Sequence, residues 1–191
     1  MKKILLTILI IITVLSINVL AIDIDIGESA INRGSTASAY TWVNIGNPAN
    51  VSGTITSIEI WAQSNISNCK VVIFYVVSGN NLSTRDYELI GSVTAGSKKT
   101  FNVDLDVQAG DYIGAYYTAG ALERDSSGFA GCWMNTVDNI PCTNITFTLR
   151  AGEAISLYGT GTTAVGWAHK WNTKTISKWN TKEFTKWNGL E

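Results

Sequence analysis

The chain has 191 residues, 46% of them hydrophobic, and its 14 lysines and arginines nearly balance 15 aspartates and glutamates, giving a net charge of −1. The body lacks a basic stripe, which disfavours nucleic acid as a partner because neutralising phosphate requires clustered Lys and Arg. One histidine and three cysteines without the spacing of metal ligands disfavour a metal centre. The composition therefore predicts an ordinary globular body without a metal or cofactor.

The N-terminus has the three parts of a secretory signal. Two lysines follow the first methionine, residues 5–20 are almost entirely apolar, and residues 19–21 end in a small-residue cleavage site. The apolar run is short for a membrane span, so we expect cleavage that leaves Ile22 first rather than retention as an anchor. These features predict a signal peptide over residues 1–21, a secreted protein or one at the extracellular surface, and no stable membrane insertion after cleavage.

Strand periodicity extends through residues 22–158, with almost no helical periodicity. Residues 22–26 alternate isoleucine with aspartate, and residues 101–107 show the same pattern, which gives each strand one buried and one solvated face. Residues 71–77 are apolar throughout, as in a central strand covered on both sides. Further predicted strands are 40–43, 54–61, 70–77, 87–93, 111–118, 128–134, 145–150 and 154–158.

Turn-forming residues separate these strands. Gly, Asn, Ser, Asp and Ala cluster at residues 78–81, 95–97, 108–111 and 119–120. Many short strands with turns between them predict an all-β, antiparallel β-sandwich, with a jelly roll as the leading topology. We expect residues 22–158 to form a single domain with one core.

Three cysteines are present, and export permits a disulfide. Cys132 and Cys142 flank a predicted turn at residues 138–141, and we predict a disulfide between them, although spacing alone does not establish the pairing. Cys69 begins an apolar strand, where we expect a small buried hydrophobic residue.

A Gly/Thr-rich linker is predicted at residues 159–169, and a repetitive tail at residues 170–191. The tail repeats Lys-Trp-Asn every eight residues, which places Trp171, Trp179 and Trp187 in register. Alternation along a short β-rich tail would present all three indoles on one face. Because three solvated tryptophans are unfavourable, we expect the tail to dock on its own body, on a neighbouring subunit or on a target, with a simple extension as the alternative.

Residues 53–61, residues 70–77 and the turn with its strand at residues 109–114 give the body a resemblance to secreted or virion-surface jelly-roll domains, including carbohydrate-binding modules. This resemblance implies a domain that binds carbohydrate or coats a surface. The tail is similar to the Ile/Phe-x-Lys-Trp-Asn-Gly repeats at the ends of phage-related and surface proteins. Its first copy departs, with Ala168 and His169 where Ile-Ser would stand. No ligand-binding residue can be carried over.

Carboxylates are numerous, but no pair stands out for acid–base catalysis. A glycosidase needs two carboxyl groups across a cleft. Asp104 and Asp106 lie on the solvated face of a predicted strand, and residues 123–125 lie in a predicted loop, where charges are ordinary. The single histidine, His169, follows the body, so a Ser-His-Asp triad is not expected. We therefore predict that the protein is not an enzyme.

Aromatic side chains are the best candidates for ligand binding, because flat rings stack on the apolar faces of sugars while polar side chains bind the hydroxyl groups. The predicted ligand-binding residues are Trp61, Tyr116, Trp133, Trp171, Trp179 and Trp187. Trp61 and Glu59 are two residues apart on a predicted strand and so point to the same face, which favours exposure of Trp61. Tyr116 and Tyr117 must point to opposite faces, so we expect one in the core and one in solvent.

Two hypotheses follow for function. The leading one is an exported, non-catalytic module that binds a glycan or another cell-surface polymer through exposed aromatics flanked by Asn or Asp. The alternative is a structural subunit of an extracellular or virion assembly, with self-association by tail docking or by addition of the strand at residues 22–26 to a neighbouring sheet.

Overall fold

A computed structural model of the chain describes residues 21–163. Most of the predicted signal peptide, the end of the predicted linker and the whole predicted tail lie outside the described residues. Residues 21–163 are all-β, with thirteen antiparallel strands, and contain no helix that could cross a membrane. The strands are β1 Asp23–Glu28, β2 Ser35–Ala37, β3 Thr41–Asn44, β4 Gly53–Ser78, β5 Asn81–Val93, β6 Lys98–Val107, β7 Tyr112–Tyr116, β8 Ala119–Asp125, β9 Cys132–Asn135, β10 Ile145–Thr146, β11 Thr148–Arg150, β12 Ala154–Ile155 and β13 Leu157–Thr162.

The long strand β4 takes part in three connected sheets. Its first part pairs with β13 and β6, and β1 pairs with β13; we call this group sheet A. Its middle pairs with β8, which also pairs with β2 and β12, to form sheet B. Its last part lies between β5 and β7 in sheet C, which continues through β3, β9 and β11, with β10 beside β5. Register shifts along β4 accompany these changes of partner, as expected for bulges that bend a strand.

The main core takes side chains from sheet A and from one face of sheet C. Ile58 of sheet A is in this core with Val71 and Ile73 of sheet C, whereas Val72 and Phe74 belong to a second cluster. Alternate residues of a strand point to opposite faces, so residues 71–74 of β4 are covered on both sides. Two groups of strands that share one core in this way are compatible with a β-sandwich.

A second hydrophobic cluster lies on the other face of sheet C, which we call its outer face. Residues 136–147, named the strap, contribute Ile140 and Phe147 to this cluster. The Phe147 ring meets Phe74 edge-on, with centroids 5.5 Å apart. The strap therefore covers part of the outer face of sheet C.

The prediction that residues 71–77 are covered on both sides is confirmed only for residues 71–74. Residues 71–74 are fully buried, but Tyr75, Val76 and Val77 are 37%, 38% and 48% exposed. Beyond Phe74 the strand no longer pairs with β7 and pairs only with β5, so its apolar end reaches solvent.

The predicted strands at 54–61 and 70–77 are parts of the single strand β4, and β2 was not predicted. Residues 119–120, predicted as a break, begin strand β8, which also contains residues 123–125 from the predicted loop. The first four residues of the predicted linker belong to β13. A Cβ atom at Gly161 would overlap the backbone carbonyl of Thr54, so this strand requires the small residue that suggested a linker.

All three cysteines are free thiols in the structure. Cys132 is in the main core, with Sγ 3.5 Å from Asn44 Oδ1, whereas Cys142 packs against the second cluster, with Sγ 3.8 Å from Thr84 Oγ1. They lie on opposite sides of sheet C, so the predicted Cys132–Cys142 disulfide does not form here. Cys69 is buried, as predicted.

Candidate functional site

Of the three predicted ligand-binding residues within residues 21–163, two share one face of sheet C and the third lies on sheet A. Trp61 is half-buried in β4 of sheet A, where it pairs with Lys98 of β6. Tyr116 and Trp133 lie on the outer face of sheet C and contact or belong to the second cluster. The other three candidates, Trp171, Trp179 and Trp187, lie outside the described residues.

Trp133 is a packing residue rather than an exposed one. Its side chain is only 7% exposed, and its Nε1 donates to Asn80 Oδ1 at 3.1 Å. Its ring meets Tyr112 edge-on, with centroids 5.0 Å apart. Because packing encloses the indole, Trp133 does not offer a ring face to a ligand, contrary to our expectation.

Tyr116 belongs to an exposed surface on the outer face of sheet C. It pairs across the sheet with Lys70 of β4, which in turn pairs with Leu89 of β5, and Tyr87 pairs with Val72. Cross-strand partners point to the same face, here the face of Val72. Tyr87 is 44% exposed and Leu89 is 63% exposed, while Tyr116 is partly exposed. We call Lys70, Tyr87, Leu89 and Tyr116 the Tyr87 surface.

The register sets the spacing of the two tyrosines. Tyr87 and Tyr116 stand two strands apart, and their partners in β4 differ by two residues. With strands about 4.8 Å apart, their Cα positions are separated by roughly 10 Å across the sheet and by about 7 Å along it. One extended ligand can therefore contact both rings.

Lys70 joins the Tyr87 surface to the strap. Its Nζ donates to Asp138 Oδ2 at 2.6 Å and to the Ile140 carbonyl oxygen at 3.0 Å. The same Nζ lies 5.9 Å from the centroid of the Tyr116 ring, within reach of a cation–π interaction. The strap thus holds the Lys70 ammonium group beside the Tyr116 ring.

Two threonines fix the strap on the sheet. Thr41 Oγ1 donates to the Val137 carbonyl oxygen at 2.7 Å and accepts from the Asn139 amide at 3.2 Å. Thr84 Oγ1 accepts from the Cys142 amide at 2.9 Å, and the Thr84 amide donates to the Cys142 carbonyl oxygen at 3.0 Å. These bonds hold the edge of the strap beside the Tyr87 surface. A ligand that binds there therefore causes a smaller loss of conformational entropy in the strap.

Polar side chains flank the Tyr87 surface. Asn68 and Thr118 are exposed and lie two residues from Lys70 and Tyr116, respectively. Asn68 Nδ2 donates to Thr118 Oγ1 at 3.0 Å. The strap adds a further amide, since Asn139 Nδ2 donates to the Val137 carbonyl oxygen at 3.4 Å.

A network of buried charges, which sequence reasoning missed, lies at sheet B. The Arg33 side chain is 1% exposed, and its Nη1 lies 2.6 Å from Asp125 Oδ2. Its Nε donates to Ser156 Oγ at 2.8 Å, and its backbone amide donates to Glu123 Oε2 at 3.0 Å. Glu123 and Asp125 are therefore structural partners of Arg33 and not ordinary loop charges.

Glu153 extends this network. Its Oε2 lies 2.7 Å from Arg124 Nη1, a close ion pair without hydrogen-bond geometry, and its Oε1 lies 3.2 Å from Arg150 Nη2. Burial raises the pKa of the nearby Glu28 carboxyl, and the charge of Arg33 opposes this rise. Arginine side chains thus lie next to the buried carboxylates and stabilise their negative charge.

Side chains occupy the open edges of sheet A. At β1, Asn50 Oδ1 accepts from the Asp25 amide at 3.2 Å, and Asn50 Nδ2 donates to the Asp23 carbonyl oxygen at 3.0 Å. At β6, the amide of Asp106 donates to Asp86 Oδ2 at 2.9 Å. A neighbouring strand would have to displace these groups before pairing with either edge.

The chain matches no protein-family model, no curated protein and no solved structure. The resemblances to carbohydrate-binding modules and to phage-related tail repeats therefore stay predictions. No group of three or more His, Cys, Asp or Glu side chains within residues 21–163 is arranged to hold a metal ion.

Proposed function

We propose that the chain is an exported, non-catalytic binding module with a jelly-roll-like sandwich body, and that it recognises a glycan or another cell-surface polymer. The Tyr87 surface carries this proposal. Two tyrosines and Leu89 share one partly open sheet face, and hydrogen-bonding side chains lie beside it. Sugars need this combination, because each ring has apolar C–H faces and polar hydroxyl groups.

The expected affinity for a short sugar is low. If a sugar covers about 40 Å² of each tyrosine ring, apolar burial contributes roughly 1 kcal/mol per ring. Two rings with Leu89 then contribute about 3 kcal/mol before the cost of association, which corresponds to dissociation constants of roughly 6 mM or weaker. Strong attachment would require a polymer that engages many copies of the module.

The non-catalytic part of the proposal is supported by the carboxylates of sheet B. The buried Glu123 and Glu153 receive a backbone amide or arginine side chains. A glycosidase instead needs one carboxylic acid and one carboxylate facing the same bond. Export and an extracellular location rest on the sequence of residues 1–21.

Binding of residues 22–191 to soluble polysaccharides, measured as retardation in affinity gels, tests the proposal. We expect the Y87A/Y116A double variant to lose retardation and W61A, on sheet A, to keep it. Loss in W61A alone would move the site to sheet A, and no retardation of the parent chain by any polymer would overturn glycan recognition. A chain of residues 22–163, which retains all thirteen described strands, tests whether the tail tryptophans contribute.

The alternative is a structural subunit joined by strand addition or tail docking. Asn50 occupies the free edge of β1, which weighs against addition of the strand at residues 22–26. Tail docking involves residues outside the described range. Glycan binding is therefore the better-supported function.

A further inference from the structure

We infer that the Tyr87 surface selects uncharged glycans over acidic ones, because Asp138 neutralises Lys70 where a ligand would meet it. This inference rests on the proposed function and names its ligand class. Lys70 is the cation of the defined surface, and its Nζ lies 2.6 Å from the Asp138 carboxylate. Their side chains are 26% and 35% exposed, so a ligand meets both charges together.

The fixed geometry of the pair makes this neutralisation persistent. Asp138 Oδ1 accepts from the Ile140 amide at 3.0 Å, while Oδ2 accepts from Lys70. The carboxylate is therefore held by its own loop and does not need to move when a ligand arrives. Lys70 Nζ already has the Ile140 carbonyl oxygen as a second acceptor.

An acidic glycan would meet two obstacles at this position. Its carboxylate or sulfate would have to displace Asp138 from Lys70 or share the ammonium group with it, and in either case it would lie close to the Asp138 charge. Like charges at short distance repel, and a shared cation does not remove that repulsion. A neutral glycan can instead accept from Lys70 and donate hydroxyl protons to Asp138 without separating the pair.

The variant D138N changes the charge and keeps the local geometry. Asparagine retains an oxygen that can accept from the Ile140 amide, but it no longer neutralises Lys70. We expect D138N to bind acidic polysaccharides about five-fold more tightly than the parent chain, a gain typical of one exposed charge pair, without the same gain for neutral ones. The gain should disappear in high salt because salt screens exposed charges.

Two controls separate local charge from other effects. E59Q also removes one carboxylate paired with lysine, since Glu59 Oε1 lies 2.7 Å from Lys98 Nζ, but the pair belongs to sheet A. E59Q should therefore show no gain. The double variant K70Q/D138N removes both charges, so it should show no gain in acidic binding over the parent chain; a gain there would mean that a loosened strap causes the effect.

Affinity gels that contain neutral, uronate or sulfated polysaccharides test this inference on residues 22–191 and the three charge variants. Preference for neutral polymers, with an acidic gain in D138N alone, supports it. Binding of acidic polymers by the parent chain that Y87A abolishes would overturn the inference and leave glycan recognition in place. Absence of binding to every polymer would overturn the proposed function itself.

Discussion

The guanidinium group of Arg33 and the carboxylate of Asp125 meet at 2.6 Å, although 92 residues separate them in the chain. The Arg33 side chain is almost completely buried, and the Asp125 side chain is 30% exposed. The pair connects the segment before β2 to the end of β8. Because the Arg33 guanidinium is buried beside sheet B, it needs the Asp125 carboxylate as a counterion to offset its loss of hydration.

Replacing Arg33 with alanine should therefore destabilise the protein strongly. R33A removes a buried side chain and leaves Ser156 Oγ and the Ser29 carbonyl oxygen without their donor, so we expect a loss of about 3 kcal/mol in the free energy of unfolding. Urea denaturation measures the loss. K98A, which breaks the exposed pair with Glu59, should cost less than about 1 kcal/mol. Equal losses in the two variants would show that burial does not matter here.

Local alternation was enough to predict the all-β, antiparallel class and most strands. The predicted strand at residues 101–107 lies within β6, and the one at residues 22–26 lies within β1 apart from Ile22. Strand β8 was missed because its buried positions include Glu123, which breaks the apolar pattern. Glu123 is buried because it accepts from the Arg33 amide, a partner 90 residues away that no local pattern reveals.

The candidate site was only partly predictable for the same reason. Parity correctly predicted that one of Tyr116 and Tyr117 is in the core, since Tyr117 is fully buried and Tyr116 is partly exposed. Tyr87 was among the aromatics on strands, but nothing local distinguished it. Its place beside Tyr116 depends on the order β5–β4–β7 and on the register of both pairings, which are long-range properties.

The reactivity of the three cysteines tests whether the chain contains free thiols. Burial raises the pKa of Cys69 and of Cys132 to about 12, so both thiols should stay protonated and resist alkylation in the folded protein. Burial also raises the pKa of Cys142, but this thiol is partly exposed, so we expect iodoacetamide to label this residue first. Peptide mass spectrometry after labelling identifies the site. If Cys142 were not labelled and the mass of the protein were lower by two hydrogens, the predicted Cys132–Cys142 disulfide would be present instead.

Stability should depend on pH through Glu28. Burial raises the pKa of this carboxyl above its ordinary value, so the folded state favours the protonated form. The resulting cost is absent below the ordinary pKa, grows as pH rises through that value, and is complete above the pKa of the folded state. E28Q removes the titration, so the melting temperature of E28Q relative to the parent chain should be higher at pH 7 than at pH 4. A difference that does not change with pH would contradict burial as the dominant effect.

Asn50 should protect the edge of β1 from other strands. N50A removes the acceptor of the Asp25 amide and the donor to the Asp23 carbonyl oxygen, which should lower the free energy of unfolding by about 1 kcal/mol. It also leaves the Asp25 amide and the Asp23 carbonyl oxygen open to pairing, so we expect concentration-dependent association in light scattering. N102A, at an exposed position of β6, is the control and should stay at the parent mass. If the parent chain already associates to the same extent as N50A, the capped edge does not limit self-association, and the structural-subunit hypothesis regains weight over glycan binding.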